Sequence, residues 1–476
     1  MVGLQDNVKT DRRAVTSPLN GLKGGRPTMD VTGCAEQFLQ RYTTDDGSYR
    51  FCYSNGKWWQ YNTDNYWAEV LEEDLRVKVT SFLQQDFARS SKGRISKALV
   101  SDVILNIKGL CGLTDSAMPC WLSNGADASD IVCFSNGLLS IEKLINGEEL
   151  ALQPCTPKYF GTAKVKYAYD PSATCPKWQR YLQTTFDNED ERKTLQMIFG
   201  YVLSNKLDKN VGFFLVGNGG DGKSTTAHVL KHLIGDSQTC CLPFSNLGDR
   251  FSSYMLTENK LNLVEELPSA TDSKKIAEAE KTFKMVTDGA TIPVERKFHS
   301  PGQAPARAKC VFLANSLPHF VDKTNGLWDR IIILPYNHRF RGTNAETQNL
   351  KFELETELSG ILNWAIEGAR LLASYSRFPM SSSAKSYLDA HRLACNYEAS
   401  FLHEVVVESK ASNCLSKQTL YQYYRHWMEN NGYRPGGQDK LNAAVRAAFP
   451  NVIETRERIP SDRIDRKVWM GIKLVA

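Results

Sequence analysis

Apolar positions in the middle of the chain alternate between continuous short runs and helical spacing. "VGFFLV" at 211–216, "KCVFLA" at 309–314 and "IIILPY" at 331–336 are apolar, β-prone runs of the kind found in buried parallel strands. "KSTTAHVLKHLIG" follows the first run with helical spacing and closes at Gly235. From 211 to about 375 this alternation predicts an α/β nucleotide-binding core.

The segment before this core has a different pattern. Short aromatic strands around "YRFCYSNGKWWQYNTDNYW" precede a helix around "EEDLRVKVTSFLQQDFA" and then further short strands, which predicts a mixed α+β N-terminal domain over 33–170. Helices predicted within 171–210 lead into the core and extend it to 171–375. Residues 1–32 are rich in Gly, Pro, Ser and charge, and are predicted to be a flexible tail.

A linker is predicted at 376–395, where "SRFPMSSSAKSY" is rich in Ser and Pro. Residues 396–476 follow with two helical patterns and two strands around a charged loop. Helices followed by a hairpin fit a winged helix, a common reader of duplex DNA. The candidate DNA contacts of this wing are Arg456, Arg458, Arg466 and Lys467. Acidic residues between them leave a plain solvated hairpin as the alternative.

Length and composition indicate two or three domains of an ordinary globular chain. The chain has 476 residues, of which 42% are hydrophobic and 23% charged. No apolar run approaches the ~20 residues of a membrane span, so we expect a cytoplasmic protein without a membrane partner. The net charge of +5 permits a polyanionic partner without requiring one. Twelve scattered cysteines without a C-x-x-C motif predict buried free thiols and no zinc ribbon.

A phosphate-binding motif stands between the first strand and its helix. "GNGGDGKSTT" at 217–226 matches G-x-x-x-x-G-K-[ST], whose glycines let backbone N–H groups approach phosphates. ATP and Mg²⁺ are therefore the predicted cofactors, with Lys223 on the β- and γ-phosphates and the Ser224 hydroxyl on the metal. The predicted nucleotide contacts are Gly217, Gly220, Gly222, Lys223, Ser224 and Thr225.

Polar residues at the ends of later strands supply candidate catalytic groups. Glu265 and Glu266 end the run "KLNLVEE", where one carboxylate can orient Mg²⁺ and the other can polarise the attacking water. We assign Glu265 to the metal and Glu266 to the water. Asn315 ends the run "KCVFLAN" and can sense the γ-phosphate or hold the water, although an Asn also suits a plain strand-end turn.

An arginine just before the last strand is a candidate arginine finger. Arg330 directly precedes "IIILPY", and a fixed guanidinium there could neutralise transition-state charge on a neighbouring subunit's nucleotide. Arg339 and Arg341 are the alternatives for this role.

The stretch between the acidic pair and Asn315 predicts a β-hairpin. "TDGATIPVERKFHSPGQAPA" contains a turn, an outgoing strand and a return, with Arg296, Lys297 and His299 near its tip. Such a cationic tip can grip a phosphodiester backbone without reading base sequence. An exposed basic turn is the structural alternative.

These residues in this order resemble the superfamily 3 helicases, which are AAA+ motors of DNA viruses, phages and plasmids. The resemblance implies a hexamer whose central pore is lined by Lys297 and His299, although here Phe298 separates the two. It also implies single-stranded and forked DNA as partners, an Arg330 that acts on the next protomer, and 3′-to-5′ travel.

Further stretches resemble the primase-helicase group of phages, plasmids and poxviruses. They are "FSNGLLSIEKLINGEE…YDPSATCPKWQRYL" and "ASFLHEVVVE…LSKQTLYQYYRHWMENNGYRP…VWMGIKL", so that the resemblance covers about 50–476. A primase-polymerase domain is not predicted, which implies a helicase portion with a possible separate primase or polymerase.

We therefore predict an ATP-dependent replicative DNA helicase for a phage, plasmid or mobile element, in the cytoplasm of a bacterial host or an infected cell. An origin-binding initiator or a helicase loader is the main alternative. A non-DNA ATPase such as a nucleotide kinase has less support, because no lid or acceptor site is evident and the basic hairpin would be unexplained.

Overall fold

The computed structural model describes residues 30–87, 95–113, 118–206, 208–267, 272–295, 301–343, 349–410, 412–458 and 465–475. The chain divides into two compact units, one up to Tyr169 and one from Asp170 onward. None of the helices within these ranges is both long enough and apolar enough to cross a membrane. The twelve cysteines are free thiols, as predicted, and most of them are buried.

The first unit combines helices with short antiparallel strands. Its helices are α1 (Val31–Arg41), α2 (Glu72–Phe87), α3 (Lys97–Cys111) and α4 (Ile141–Ile145). Its strands are β1 (Phe51–Ser54), β2 (Lys57–Tyr61), β3 (Trp67–Val70), β4 (Cys120–Trp121), β5 (Ile131–Phe134), β6 (Gly137–Ser140) and β7 (Tyr159–Phe160). Strands β1, β2 and β3 form one sheet, while β4 pairs with β7 and β5 with β6. Of the tail predicted at 1–32, residues 1–29 lie outside the described residues. Its last residues belong to α1, which starts at Val31 with Asp30 as its N-cap.

The second unit begins with the predicted α/β core. Its helices are α5 (Pro176–Thr185), α6 (Glu189–Leu203), α7 (Lys223–Ile234), α8 (Met255–Glu258), α9 (Ser273–Thr287), α10 (Asn325–Trp328), α11 (Leu350–Glu355) and α12 (Leu358–Ala373). Its strands are β8 (Gly212–Gly217), β9 (Thr239–Cys240), β10 (Leu261–Val264), β11 (Thr291–Val294), β12 (Gly302–Pro305), β13 (Lys309–Ala314) and β14 (Ile331–Tyr336).

Five of these strands form a parallel sheet in the order β14-β8-β13-β10-β9. Strands β8, β13, β10 and β14 are buried at nearly every position, which explains why their sequences read as continuous apolar runs. The predicted α/β core with a buried parallel sheet is confirmed. Strand β13 lies between β8 and β10, so the strand that ends at the phosphate motif and the strand that ends at the acidic pair are not neighbours.

The C-terminal part of this unit contains small helices and antiparallel strands. The helices are α13 (Ser382–Ala394), α14 (Tyr397–Val405), α15 (Lys417–Asn430) and α16 (Gln438–Ala448), and the strands are β15 (Val406–Glu408), β16 (Cys414–Ser416), β17 (Ile453–Arg458), β18 (Asp465–Met470) and β19 (Ile472–Leu474). Strands β16, β18 and β17 form a sheet, and β15 pairs with β19. The two helices followed by a hairpin that the sequence predicts are therefore present.

The linker predicted at 376–395 is wrong for most of its length, because α13 occupies it. Ser381 caps this helix by accepting a hydrogen bond from the backbone N–H of Ala384 at 3.2 Å. Ala384 and Leu388 are buried in the same hydrophobic cluster as the central sheet. The run of serines that suggested a linker is therefore the start of a packed helix.

Candidate nucleotide-binding site

The phosphate loop, residues 217–224, joins the end of β8 to the start of α7. Gly219, Gly220 and Gly222 have φ of +89°, +68° and +97°, values that strain any residue with a side chain. A Cβ at Gly217 would lie 2.4 Å from a carboxylate oxygen of Asp221. The glycines of the motif are thus required by the turn itself and by close packing.

Lys223 is the first residue of α7, and its side chain is held inside the loop. Its Nζ lies 2.7 Å from the Gly217 carbonyl oxygen and 2.5 Å from Oδ2 of Asp221. The Asp221 carboxylate also accepts hydrogen bonds from the backbone N–H groups of Gly219 at 3.0 Å and Lys223 at 3.3 Å. A carboxylate therefore takes the donors that such a loop offers to phosphate oxygens. The motif did not predict this, because its variable positions specify no side chain.

The hydroxyl residues after Lys223 face the open side of the loop. Ser224 is exposed and Thr225 half-buried, and both line the same pocket at the N-terminus of α7. The partial positive charge of this helix end favours anions, and a serine hydroxyl there can ligate a phosphate-bound Mg²⁺. The predicted nucleotide contacts are therefore brought together in one place.

Three buried hydroxyls support the loop from beneath. Thr226 lies 2.8 Å from the hydroxyl oxygens of both Tyr181 and Tyr336, and the Tyr181 hydroxyl donates to the Gly222 carbonyl oxygen at 2.8 Å. Burial raises the pKa of Tyr181 and of Tyr336 above the usual tyrosine range, so both remain neutral hydrogen-bonding groups. These hydroxyls tie the loop to α5 and β14, a role that the sequence did not indicate.

A pocket of about 670 Å³ adjoins the loop, within the size range of small-molecule sites. Besides the loop, its walls come from α5 and from residues 340–341 and 349–353. The cationic and aromatic residues in these walls are Lys177, Arg180, Tyr181, Phe340, Arg341, Lys351 and Phe352. Such a lining suits a nucleotide, with cations for phosphates and rings for a base. Sequence reasoning missed these residues, because they come from two segments far apart in the chain.

Arg341, one of the two alternatives for the arginine finger, lies beside the phosphate loop of its own chain. The backbone N–H groups of Phe340 and Arg341 both donate to the Gly220 carbonyl oxygen, at 2.7 and 3.1 Å. A Cβ on Gly220 would lie 2.6 Å from the Cβ of Arg341. Arg341 is therefore placed to contact a nucleotide in its own subunit.

The acidic pair and Asn315 lie at the edge of the sheet that carries the phosphate loop. Ala314 pairs with Val216, so that Asn315 follows directly beside the end of β8. Glu265 and Glu266 follow β10, the next strand, and all three side chains are exposed. The carboxyl ends of three adjacent parallel strands thus bring the predicted metal, water and sensor residues to one edge.

Arg330 lies at the opposite end of the parallel strands, where β8 and β14 begin. Its carbonyl oxygen accepts from Gly212 at 2.8 Å, and β8 then runs about 17 Å before it reaches the loop. Its guanidinium contacts both carboxylate oxygens of Asp288 at 2.8 Å and the Gly326 carbonyl oxygen at 2.5 Å. The structure therefore does not bring Arg330 to the nucleotide site of its own chain.

The predicted DNA contacts fall in two hairpins. Arg296, Lys297 and His299 lie outside the described residues, and the flanking strands β11 and β12 pair antiparallel with Val294 opposite Gly302. The hairpin that carries these three residues is therefore confirmed at its base.

The predicted wing corresponds to the hairpin of β17 and β18, where basic and acidic positions interleave. Arg456 lies opposite Lys467, and both are exposed. Glu457 lies opposite Arg466, whose Nη1 is 3.4 Å from the Gln418 side-chain oxygen. Arg458 pairs by backbone with Asp465, and its side chain lies outside the described residues. Two exposed cations, Arg456 and Lys467, thus adjoin on one face.

Comparisons with known proteins give partial matches. Residues 35–187 match a family described as D5 N terminal like, and residues 215–330 match a family of unknown function, DUF5906. A protein of Acanthamoeba polyphaga mimivirus named "Putative helicase L207/L206" is 22% identical over an alignment of 361 residues that covers 68% of this chain. The chain spans about a third of that relative's length, 36%.

Solved structures share the fold at low sequence identity. The A form apo structure of the NrS-1 C-terminal region has a TM-score of 0.52 and 11% identity, covering 92% of this chain and 98% of that one. A second apo structure of the same region has a TM-score of 0.52 and 12% identity, covering 93% and 99%. The chain therefore shares its fold with the NrS-1 C-terminal region, and parts of its sequence match a D5-type family and a viral protein named as a helicase.

Proposed function

We propose that the protein is an ATP-dependent DNA helicase of superfamily 3 with an AAA+ core, acting in replication of a viral, phage or plasmid genome. One observation carries the proposal. The basic hairpin is inserted between β10, which ends at the acidic pair, and β13, which ends at Asn315. The proposed DNA-binding hairpin therefore lies in the chain between the two strands that end at the proposed ATP-hydrolysing residues.

In this proposal the phosphate loop and Lys223 bind the triphosphate, and Ser224 and Glu265 hold Mg²⁺. Glu266 polarises the attacking water and Asn315 senses the γ-phosphate. The Asp221 carboxylate occupies Lys223 Nζ in the nucleotide-free loop, so in this proposal Nζ turns from Asp221 to the phosphate oxygens when ATP binds.

The assembly is proposed to be a hexamer that encircles single-stranded DNA at a fork. Arg330 would act on the neighbouring protomer's nucleotide, since it lies far from its own. Hydrolysis would move the hairpins with Lys297 and His299, with 3′-to-5′ travel. The name of the mimivirus relative supports helicase activity. We place the activity in the cytoplasm, with a separate primase or polymerase as a possible partner.

Replacement of Lys223 tests the nucleotide site. We expect Lys223→Ala to abolish ATP hydrolysis and strand displacement on a forked duplex while single-stranded DNA binding persists, because the proposed DNA-contacting residues are unchanged. Steady-state ATPase and fluorescence anisotropy with labelled DNA measure the two properties. Full ATPase activity in this variant would refute the site.

Replacement of Lys297 tests the coupling to DNA. We expect Lys297→Ala to retain basal ATPase but to lose strand displacement, because the backbone grip is removed while the phosphate loop is intact. Unwinding at the parent rate would rule out the hairpin as the DNA-moving element.

An origin-binding initiator or helicase loader is the second candidate. The hairpin of β17 and β18 supports it, because Arg456 and Lys467 stand side by side after two helices, as in a winged helix that contacts duplex DNA. ATP-dependent duplex binding without strand displacement on any forked substrate would favour this candidate over the helicase.

A further inference from the structure

Two histidines of α7 and a glutamate of α11 meet beyond the phosphate loop, with His228 about one helical turn and His232 about two turns after Ser224. His228 and His232 are four residues apart and therefore share one face of α7. The Nε2 atoms of His228 and His232 lie 2.7 and 3.8 Å from Oε1 of Glu355. The ligand atoms of the three residues all lie within 4.8 Å of one another.

The hydrogen bond on the far side of His232 fixes its tautomer. Its Nδ1 lies 2.8 Å from the backbone carbonyl oxygen of His228, and a carbonyl oxygen can only accept. Nδ1 therefore carries a proton, which leaves Nε2, the nitrogen on the Glu355 side, as the one that can bind a metal. Metal-binding histidines commonly have this arrangement, in which the second ring nitrogen donates to a carbonyl and orients the ring.

We propose that His228, His232 and Glu355 form a binding site for a divalent transition metal of the Zn²⁺ type. Two neutral imidazoles and one carboxylate are the ligand set of open zinc sites, where water completes the tetrahedron. Mg²⁺ and Ca²⁺ prefer oxygen ligands and are disfavoured here. Bonds of about 2.0–2.1 Å at tetrahedral angles separate ligand atoms by about 3.4 Å. The observed 2.7 and 3.8 Å therefore need to change by less than 1 Å, and the third distance, at most 4.8 Å, by no more than about 1.4 Å.

Binding of the metal changes one proton position. Without metal, the Nε2–H of His228 donates to the Glu355 carboxylate. On binding, Nε2 supplies its lone pair to the metal, and the ring carries its proton on Nδ1 instead. The imidazole stays neutral, so no further reactant is needed.

The site would connect the phosphate loop to the wall of the nucleotide pocket. Helix α7 starts at Lys223, and α11 contributes Leu350, Lys351 and Phe352 to the pocket. A metal held by both helices would fix the position of α11 and so change nucleotide affinity. This consequence rests on the proposed function, whereas the metal site itself does not.

Metal binding is tested on the full chain in a background where the exposed thiols are removed by Cys241→Ser and Cys414→Ser. Calorimetric titration with Zn²⁺ is expected to give one equivalent per chain with a dissociation constant in the micromolar range or below. We expect His232→Gln to weaken this binding at least tenfold. His338→Gln is the control, because His338 pairs with Asp187 outside the cluster and should leave the affinity unchanged.

Two results would overturn the metal site. One is that the background protein binds no stoichiometric Zn²⁺. The other is that His228→Gln and His232→Gln both bind Zn²⁺ as tightly as the background protein does. Titration with Co²⁺ adds a structural readout, because a tetrahedral site gives intense visible absorption that His232→Gln should abolish.

Nucleotide affinity is then measured with a fluorescent ATP analogue and constant Mg²⁺, with and without Zn²⁺. We expect a several-fold shift in the background protein and none in His232→Gln. Zn²⁺ binding with an unchanged nucleotide affinity would refute the link between the helices. Failure of the nucleotide site itself would appear separately, as nucleotide binding that Lys223→Ala leaves unaltered.

Discussion

Asp221 and Lys223 form an ion pair in the phosphate loop that a nucleotide has to separate. Both side chains are buried, at 5% and 7% exposure, and the carboxylate also accepts from two loop N–H groups. A triphosphate that enters the loop therefore meets a negative charge at the place where its own oxygens bind. If ATP binds as proposed, separating this pair leaves the Asp221 carboxylate without its cation, which opposes nucleotide binding.

Replacement of Asp221 by asparagine is expected to tighten nucleotide binding. The amide keeps the shape and can still accept from Gly219, but it removes the negative charge. We expect a dissociation constant about three to ten times lower, or about 0.7–1.4 kcal/mol. Titration of a fluorescent ATP analogue measures it, with Asp236→Asn at the other end of α7 as the control. Weaker binding by Asp221→Asn would mean that the carboxylate orients Lys223 productively.

At the scale of elements, helices α6 and α12 approach each other closely through glycines. A Cβ on Gly368 would lie 2.1 Å from the Gln196 carbonyl oxygen, and one on Gly200 would lie 2.2 Å from the Ala369 nitrogen. The atoms in the way are backbone atoms, which cannot rotate aside as a side chain can. The two helices therefore depend on glycine in their interiors, despite its poor helix propensity.

Gly368→Ala is expected to destabilise the second unit. Overpacking against fixed backbone costs about 1–3 kcal/mol, more than the gain in helix propensity of about 1 kcal/mol. Gly109→Ala in α3 is the matched control, because no atom lies within 4 Å of its added Cβ. It should stabilise its own unit by about 0.5–1 kcal/mol. Urea denaturation of both variants measures the effects, and a Gly368→Ala protein as stable as the parent would contradict the close approach.

Local patterns predicted the elements, whereas contacts between distant segments were not visible in the sequence. The run "LNLV" became β10 over Leu261–Val264, and the helix predicted to close at Gly235 ends at Ile234. The prediction of a linker at 376–395 was wrong because a run of serines occurs both in linkers and at the start of helices. The pocket walls at α5, 340–341 and 349–353 were missed because only the fold brings them to the loop.

At the scale of the whole molecule, Arg330 can act as the proposed arginine finger only on a nucleotide that is bound to a second copy of the chain. It is bound to Asp288 at the end of the parallel strands opposite the phosphate loop, so a complete site as proposed needs a second subunit. A closed ring supplies such a neighbour to every subunit.

Mixing two inactive variants tests this sharing. Lys223→Ala retains Arg330, and Arg330→Ala retains the phosphate loop, so some interfaces in mixed rings combine two intact halves. Equal mixing should restore ATPase to about a quarter of the parent rate, since about a quarter of random interfaces are complete. Lys223→Ala mixed with Ser224→Ala should restore nothing, because both defects lie in the same half. A mixture no more active than its separate components would contradict the shared site.

The ion pair between Arg330 and Asp288 also bears on the timing of such a ring. Asp288 directly follows α9 and precedes β11, so the guanidinium is tied to the root of the basic hairpin. A neighbour's triphosphate and Asp288 would compete for that one cation. Each ATP that binds would loosen the hairpin of the adjacent subunit, and each phosphate released would secure it again. Under this mechanism the subunits would hydrolyse ATP one after another. The order of hydrolysis around the ring would then be set by the competition for Arg330.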